Sequence, residues 1–593
     1  MTETLAEIVA RHSQGGRIVE TIEAVYAAIE SYADPALFLA QRPKAEVLDI
    51  AARLEAEGPK GRPLFGVPFA VKDNIDVAGL PTTAACPAFA YTPETSSFVV
   101  ERLEAAGGIA IGKTNLDQFA TGLVGVRSPY GVPRNALRAD LIPGGSSSGS
   151  AVAVGAGIVP FSLGTDTAGS GRVPAALNGI VGLKPTLGSL STRGVVPACR
   201  TLDTISIFAL DVGDAFAAFA AAAGYDAADP YSKPLAAPHL ASPPPRFRVG
   251  VPRPGQRVFL GDAEGERAFA ADLDKLAALG GELVVFDIEP FFEVARLLYE
   301  GPWVAERYAA TKRLIETRPD AMHPVTRKII EGARKFDAVA GFEATYKLAA
   351  LRRASEAAWS GFDIMAVPTM PRFYTRAEVE ADPIKTNSHL GAYTNFVNLL
   401  DLSAIAYPSG MRGDGLPSSV TLIGKAGADG LLAGIAARAQ AASGAPMGAT
   451  GRAPPPAPAG GVATDRIELA VVGAHLSGLP LNGELVALGA EFVREAETTP
   501  DYRLYALPGT IPAKPGLLRV APREGAGIAV EIWSLTPAAF GAFVAAIPAP
   551  LGIGTLAFAD GTSAKGFLVE AEAVKGARDV TNFGGWRAFV GAK

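Results

Sequence analysis

From Gly144 to Pro185 the chain reads GGSSSGSAVAVGAGIVPFSLGTDTAGSGRVPAALNGIVGLKP, with serine and glycine where an ordinary core carries leucine. So little side-chain bulk restricts the segment to tightly packed elements joined by sharp turns. Glycine lets a backbone turn and approach a ligand closely, and successive N–H groups in such turns form nests for developing negative charge. Ser170, inside Thr165-Asp166-Thr167-Ala168-Gly169-Ser170-Gly171-Arg172, stands at the end of such a nest and is a candidate nucleophile. Its usual partner is missing locally: no histidine occurs between Ser13 and Pro238. A Ser-His-Asp arrangement would need a histidine from elsewhere to fold back. Lysine also activates serine, and Lys72 stands in GVPFAVKDN at 66–74.

The chemistry sets conditions on these residues. To take a proton near neutrality Lys72 must be largely uncharged, which requires an apolar surround; Pro68-Phe69-Ala70-Val71 supplies one on a buried strand. The plainer alternative is a lysine at a strand end that snorkels to solvent. Ser146 is a candidate to relay a proton between Lys72 and Ser170, whereas the plainer reading of Ser147 and Ser148 is helix capping. Backbone N–H groups of Thr167, Ala168, Gly169 and Ser170 would converge as an oxyanion hole, worth about 3 kcal/mol per donor. The alternative for Ser170 is a glycine-rich turn joining a strand to a helix.

A chain of 593 residues exceeds what one hydrophobic core organises, so at least two domains are expected. Residues 443–465 are dominated by proline, glycine and alanine and read as a semi-rigid linker in which almost nothing is buried. It separates a body, 1–442, from a C-terminal module, 466–593. In the body, Thr4–Tyr32 has helical periodicity. Val67–Val71 and Ile109–Ile111 read as strands, Phe98–Ala106 and Gly149–Gly157 as helices, an alternation that indicates an α/β sheet covered by helices. The module reads mostly as β, with strands at Glu468–Val472, Tyr502–Leu507, Ile528–Trp533 and Phe567–Glu572 and a helix at Pro537–Ala546.

A net charge of −6 gives no reason to expect nucleic acid or an acidic membrane surface as partner. Two cysteines, Cys86 and Cys199, form neither a disulfide framework nor a metal-ligand spacing, which suits a reducing cytoplasm. The acidic start shows no signal peptide, and no apolar run reaches the roughly 20 residues that span a bilayer.

The chain resembles the amidase signature family, serine hydrolases with a Ser–cis-Ser–Lys triad. The likeness rests on GVPFAVKDN at 66–74, GKTNLDQFA at 112–120, GGSSSGSA at 144–151, GTDTAGSGR at 164–172 and GLKPT at 182–186. Carried over, Ser170 is the nucleophile, Ser146 the cis-serine and Lys72 the base, with Asp166 and Arg172 bracing the loop. Ser148 stands where the family usually has glycine, and Ala168 and Gly171 replace the commoner Gly and Ile; no catalytic group is lost.

The variant GTDTAGSGRVPAA, the run DQFATGLVGVRSPYG at 117–131 and the C-terminal module together resemble allophanate hydrolases. That resemblance implies a mixed sheet covered by helices, plus a small α+β module similar to γ-glutamylcyclotransferase-like proteins. It implies hydrolysis of allophanate, a small amide bearing a carboxylate, to ammonia and N-carboxycarbamate in urea degradation, in a homodimer, functionally coupled to a biotin-dependent urea carboxylase. No metal or organic cofactor is required by any step. A carboxylate calls for a cationic fork. Arg307 and Tyr299 match the family's substrate-binding pair and would share a helix face if the helix survives Gly301-Pro302; the alternative for Arg307 is a surface ion pair with Glu300 or Glu306. Gly122 would contact the amide end. In the module, His475 and Glu531 are the candidates for decarboxylating the first product, with a carboxylate desolvated inside Ala529-Val530-Glu531-Ile532-Trp533. The competing readings are another small-amide or glutaminyl-tRNA amidase with a structural module, and a non-catalytic anion-binding loop.

Overall fold

The computed structural model describes residues 3–461 and 465–592. The chain divides into two compact units. The first comprises the residues up to Pro238 with Val249–Leu279 and Leu283–Pro458; the second comprises His239–Arg248, Gly280–Glu282 and the chain from Ala459 onward. The C-terminal unit therefore recruits short pieces from mid-sequence, which the composition of the module alone does not reveal.

The first unit is built on an eleven-stranded mixed sheet. Its strands are β1 (Phe38–Gln41), β2 (Pro68–Lys72), β3 (Ile109–Thr114), β4 (Phe161–Asp166), β5 (Val181–Lys184), β6 (Thr204–Ala209), β7 (Phe247–Pro252), β8 (Gly281–Phe286), β9 (Ile364–Pro368), β10 (Leu402–Met411) and β11 (Pro417–Lys425). Their order across the sheet is β1-β3-β2-β4-β6-β5-β10-β11-β9-β7-β8. Strand β2 runs parallel to both β3 and β4, whereas β4 and β6 are antiparallel. Every residue of β2 to β6 is buried, as expected of strands covered on both faces.

The expected helices are present with sharper ends. Thr4–Tyr32 is two helices, Leu5–Ser13 and Ile18–Tyr32, because Gly15 at φ 93° turns the chain between them. Thr4 and Glu7 close a capping box at the start. The helix Ser148–Gly155 is buried at all positions. Its small residues have a steric cause: a Cβ on Gly149 would lie 2.6 Å from the Leu37 carbonyl oxygen and 2.7 Å from the Asn115 nitrogen.

Of the segment expected as a linker, residues 462–464 lie outside the described residues. Little of the part before them is buried, as expected, but it is anchored to the first unit at its start. Ala445 and Met447 are buried, the Gly448 and Ala449 N–H groups donate to the Gly179 and Gly155 carbonyls at 2.8 and 2.7 Å, and Arg452 pairs with Glu7 at 2.8 Å. Backbone hydrogen bonds hold this stretch, and they leave no hydrophobic period in the sequence.

The second unit carries a five-stranded sheet ordered β13-β16-β12-β18-β17. The strands are β12 (Ile467–Val471), β13 (Glu491–Glu497), β14 (Tyr502–Ala506), β15 (Pro515–Arg519), β16 (Ala529–Leu535), β17 (Leu551–Ala557), β18 (Ser563–Val569) and β19 (Arg578–Asp579). Strands β15-β14-β19 form a smaller sheet. The last expected strand starts earlier and ends at Val569; Ala571–Val574 is a 3-10 turn. Helix Pro537–Ala545 begins at a Thr536 cap. The core is aromatic-rich, with Trp533, Phe543, Phe567, Trp586 and Phe589 together.

Candidate active site

Lys72 is the last residue of β2 and Thr165 lies near the end of β4. These strands are parallel neighbours, with Val71 opposite Leu163, so both side chains emerge at one edge of the sheet. Lys72 Nζ lies 2.8 Å from Ser146 Oγ and 2.7 Å from Thr165 Oγ1, and all three residues are buried. Ser146 precedes the small-residue helix, and the Gly145–Ser146 peptide bond is cis. Burial lowers the Lys72 pKa to about 7, although Asp117, Asp203 and Asp166 act to raise it. Lys72 is thus no snorkelling lysine: it has no exposure, and a large part of it is the neutral amine at neutral pH.

Ser170 is 3 % exposed and lies in the turn after β4. Its hydroxyl donates to the Gly122 carbonyl at 3.5 Å rather than to Ser146. The 166–172 loop is held by a buried ion pair, with Arg172 Nε and Nη2 each 2.9 Å from an Asp166 carboxylate oxygen. Burial acts to raise the Asp166 carboxyl, but Arg172 and Lys184 keep it below its ordinary value. Asp166 also accepts the N–H groups of Gly169 at 2.9 Å and Gly171 at 3.0 Å. The Gly169 amide is therefore already bonded, unlike the free donor expected. Among the described residues the amides of Thr167, Ala168 and Ser170 meet no acceptor, which leaves three donors for an oxyanion.

Further supports come from residues that the sequence did not single out. Thr394 Oγ1 donates to the Ala168 carbonyl at 2.6 Å, and Asn398 Nδ2 to the Asp166 carbonyl at 2.8 Å. Asp203 accepts from the Thr167 hydroxyl and from the Ala198 amide at 2.8 Å. Gly169 adopts φ +126°, and a Cβ there would lie 2.4 Å from Thr394 Oγ1. Only glycine fits this position.

Arg307 is 2 % exposed, so it is not the surface ion pair considered above; Glu306 instead accepts from the Thr201 amide at 2.9 Å. The helix does not continue through Gly301-Pro302. Glu289–Glu300 and Val304–Thr317 are separate helices, with Gly301 capping the first. The bend nevertheless brings Arg307 Nη2 within 3.2 Å of the Tyr299 hydroxyl, its guanidinium 5.4 Å from the ring centre. Arg307 Nη1 donates to the Ala120 carbonyl and to Thr121 Oγ1, both at 3.1 Å. Thr121 adjoins Gly122, whose carbonyl receives Ser170. A cation and a candidate nucleophile thus meet one short loop. Gly122 sits at φ +157°, and a Cβ there would lie 2.6 Å from Asp117 Oδ2.

In the second unit His475 and Glu531 do not share a cavity. His475 lines one of about 330 Å³ with Glu484, Lys514, Phe543 and Phe567. Its Nε2 is 3.0 Å from Glu484 Oε2, and its ring stacks on Phe567 with centres 5.4 Å apart. Burial lowers the imidazole pKa, with Glu484 opposing, which favours the neutral ring. Glu531 lies outside that lining. Its carboxylate accepts from the Ser477 amide and hydroxyl at 2.7 Å, Arg587 Nη2 at 2.9 Å and Trp533 Nε1 at 3.1 Å. It is buried as expected, and its oxygens are occupied by donors that strand periodicity does not disclose.

A model of the amidase family matches residues 20–433, and one of the allophanate hydrolase C-terminal domain matches residues 467–591. The urea amidolyase of Lachancea kluyveri is 44% identical over 550 residues, covering 89% of this chain and 30% of that protein. This chain thus spans under a third of that relative's length. A glutamyl-tRNA(Gln) amidotransferase subunit of Symbiobacterium thermophilum is 36% identical over 430 residues, covering 66% of this chain and 86% of that protein. Among solved structures, selenomethionine-substituted Kluyveromyces lactis allophanate hydrolase superposes with a TM-score of 0.82 at 41% identity, covering 100% of this chain and 99% of that one.

Proposed function

The chain belongs to the amidase family of amidohydrolases, and on that premise we propose that it hydrolyses allophanate through Lys72, Ser146 and Ser170. The observation that carries the substrate is the buried Arg307, which donates to the 120–122 loop next to the carbonyl that holds the Ser170 hydroxyl. A short substrate with an amide at one end and a carboxylate at the other spans that arrangement. The similarity to allophanate hydrolase along the whole chain supports the same reading.

In this mechanism the Ser170 hydroxyl rotates from Gly122 to Ser146. Neutral Lys72 takes the Ser146 proton as Ser146 takes that of Ser170, and Ser170 Oγ bonds to the amide carbonyl carbon. Thr165 and Ser146 together fix the amine within reach of the Ser146 proton. The Thr167, Ala168 and Ser170 amides stabilise the oxyanion. The relay then returns the proton to the leaving nitrogen, the C–N bond breaks and ammonia departs. Water, deprotonated through the same relay, cleaves the acyl ester and releases N-carboxycarbamate.

The C-terminal unit, on this reading, decarboxylates that product in the cavity of His475. The bond from nitrogen to one carboxylate breaks, CO2 leaves and the nitrogen takes a proton that His475 manages. Glu531 holds the 475–477 turn through Ser477 instead of touching substrate. The assembly we propose is a cytoplasmic homodimer that draws its allophanate from a biotin-dependent urea carboxylase. Buried free thiols at Cys86 and Cys199 and the much longer urea amidolyase relatives support this setting. No helix among the described residues is long and apolar enough to cross a membrane.

The test is ammonia release from synthetic allophanate, malonamate, biuret and acetamide. Allophanate should show the highest kcat/KM, with malonamate, which also pairs an amide with a carboxylate, ahead of the neutral amides. Preference for acetamide or biuret would reject the substrate.

A further inference from the structure

Asp117 joins separate parts of the candidate active site. It follows β3, opens the 3-10 turn Gln118–Ala120, and is fully buried. Its N–H donates to the Ser146 carbonyl at 3.0 Å, which ties it to the turn bearing the relay serine. Its Oδ1 accepts the Arg127 amide and its Oδ2 the Gly125 amide, both at 2.9 Å, so one carboxylate closes the 117–127 loop that carries Gly122. The fit is tight. A Cβ on Gly145 would lie 2.0 Å from Asp117 Oδ2, and one on Gly122 would lie 2.6 Å from it. The loop needs such a brace, because Phe119 and Ala120 hold left-handed backbone at φ 51° and 50°, a conformation costly for residues other than glycine.

The two amides satisfy the oxygens but do not cancel the charge. Asp117 makes no ion pair among the described residues. Arg127 gives its Nη1 and Nη2 to the Thr121 and Pro383 carbonyls instead, at 2.9 and 2.7 Å. A buried charge with no contacting partner is costly, and in a low dielectric other charges nearby feel it strongly. Lys72 is one of them. Burial drives its pKa down; of the groups opposing burial Asp117 acts most strongly, ahead of Asp203 and Asp166, while Arg307 adds to the lowering. Asp166 is already paired with Arg172, and Asp73, beside Lys72 in the chain, lies 3.3 Å from Lys113. We propose that Asp117 is a positioning residue that holds the Ser146 turn and the Gly122 loop together and whose charge keeps Lys72 basic enough to take the Ser146 proton near neutrality.

The proposal rests on the lysine-based mechanism above. The pH profile of kcat/KM for allophanate, measured on the full chain, tests both. The wild type should climb to a plateau with its midpoint at about 7. Asp117→Asn removes the charge, so protonated Lys72 loses a stabilising neighbour and the midpoint should move at least about half a pH unit lower. A weaker base and a loosened loop should also lower the plateau at least about tenfold. Arg127→Lys loosens the same loop but keeps its charge, so its plateau should fall while its midpoint stays in place. The rate of fluorophosphonate labelling at Ser170 over the same pH range reads the midpoint a second way. Circular dichroism checks the fold, and Asp117→Ser replaces the asparagine variant if that one does not fold. An unmoved midpoint without the carboxylate, or an equal move in Arg127→Lys, rejects this role for Asp117 and leaves the mechanism standing. A wild-type profile that is flat across the range rejects the lysine-based mechanism itself.

Discussion

Lys72 Nζ donates to Thr165 Oγ1 at 2.7 Å and to Ser146 Oγ at 2.8 Å, two contacts that hold the amine between β4 and the turn that precedes the small-residue helix. Lys72 is therefore oriented by a strand neighbour and pushed toward its neutral form by burial.

The pH dependence follows from that burial. Lys72 has its pKa lowered to about 7, and in the proposed mechanism the neutral amine is the active form. Below that value the lysine is protonated, so kcat/KM for allophanate should rise about tenfold per pH unit on the acid side and level above about 7. Lys72→Ala should abolish nearly all turnover. A flat profile between about pH 5 and 8, or near-native turnover in the variant, contradicts the lysine-based mechanism.

Gly169→Ala should inactivate the enzyme while leaving its circular dichroism unchanged. The added Cβ would meet Thr394 Oγ1 at 2.4 Å in a left-handed backbone, displacing the Ala168 and Ser170 amides. A loss of at least about a hundredfold in kcat is expected, the effect of removing an oxyanion donor. Wild-type turnover would show that the loop geometry is not needed.

Arg307→Ala should cost allophanate about 1.5–3 kcal/mol of transition-state binding, or roughly 10- to 150-fold in kcat/KM. The Ala120 carbonyl and Thr121 hydroxyl also lose a donor, so neutral amides should suffer somewhat through the loop. Kinetics on allophanate and acetamide side by side separate the two contributions. Equal losses would make Arg307 structural.

In the C-terminal unit the two candidates should part company. His475→Ala should leave ammonia release intact while labelled N-carboxycarbamate persists longer by NMR. Glu531→Gln removes a carboxylate bonded by Ser477, Trp533 and Arg587, and should destabilise the unit by about 1.5–3 kcal/mol in denaturant titration. An unchanged CO2 time course in His475→Ala would leave the unit without a chemical role there.

What the sequence made legible was local. The glycine–serine run pointed to a buried small-residue helix and a tight loop, and the family resemblance paired Lys72 with Ser146. The six strands that the apolar runs suggested are all present, most to within a few residues, but the other strands of both units were not singled out. Thr394, Asn398 and Asp203 were not legible: they are unremarkable polar residues, and Thr394 and Asn398 reach the loop from more than two hundred residues away. Tyr299 and Arg307 do meet, but through a bend at Gly301 that helical periodicity could not anticipate. The surroundings of Glu531 were misread because a strand pattern gives a side chain's face and not its partners. The anchors of the stretch before residue 459 were not legible because they are largely backbone groups.

The central claim is that Ser170, activated through Ser146 and Lys72, is the nucleophile. A serine-reactive fluorophosphonate titrated against the full chain, with labelled peptides mapped by mass spectrometry, tests it most directly. One equivalent should bond to the peptide bearing Ser170, ammonia release from allophanate should fall in proportion, and Ser170→Ala should take up no label. Full turnover in a stoichiometrically labelled protein, or undiminished allophanate hydrolysis by Ser170→Ala, would contradict it.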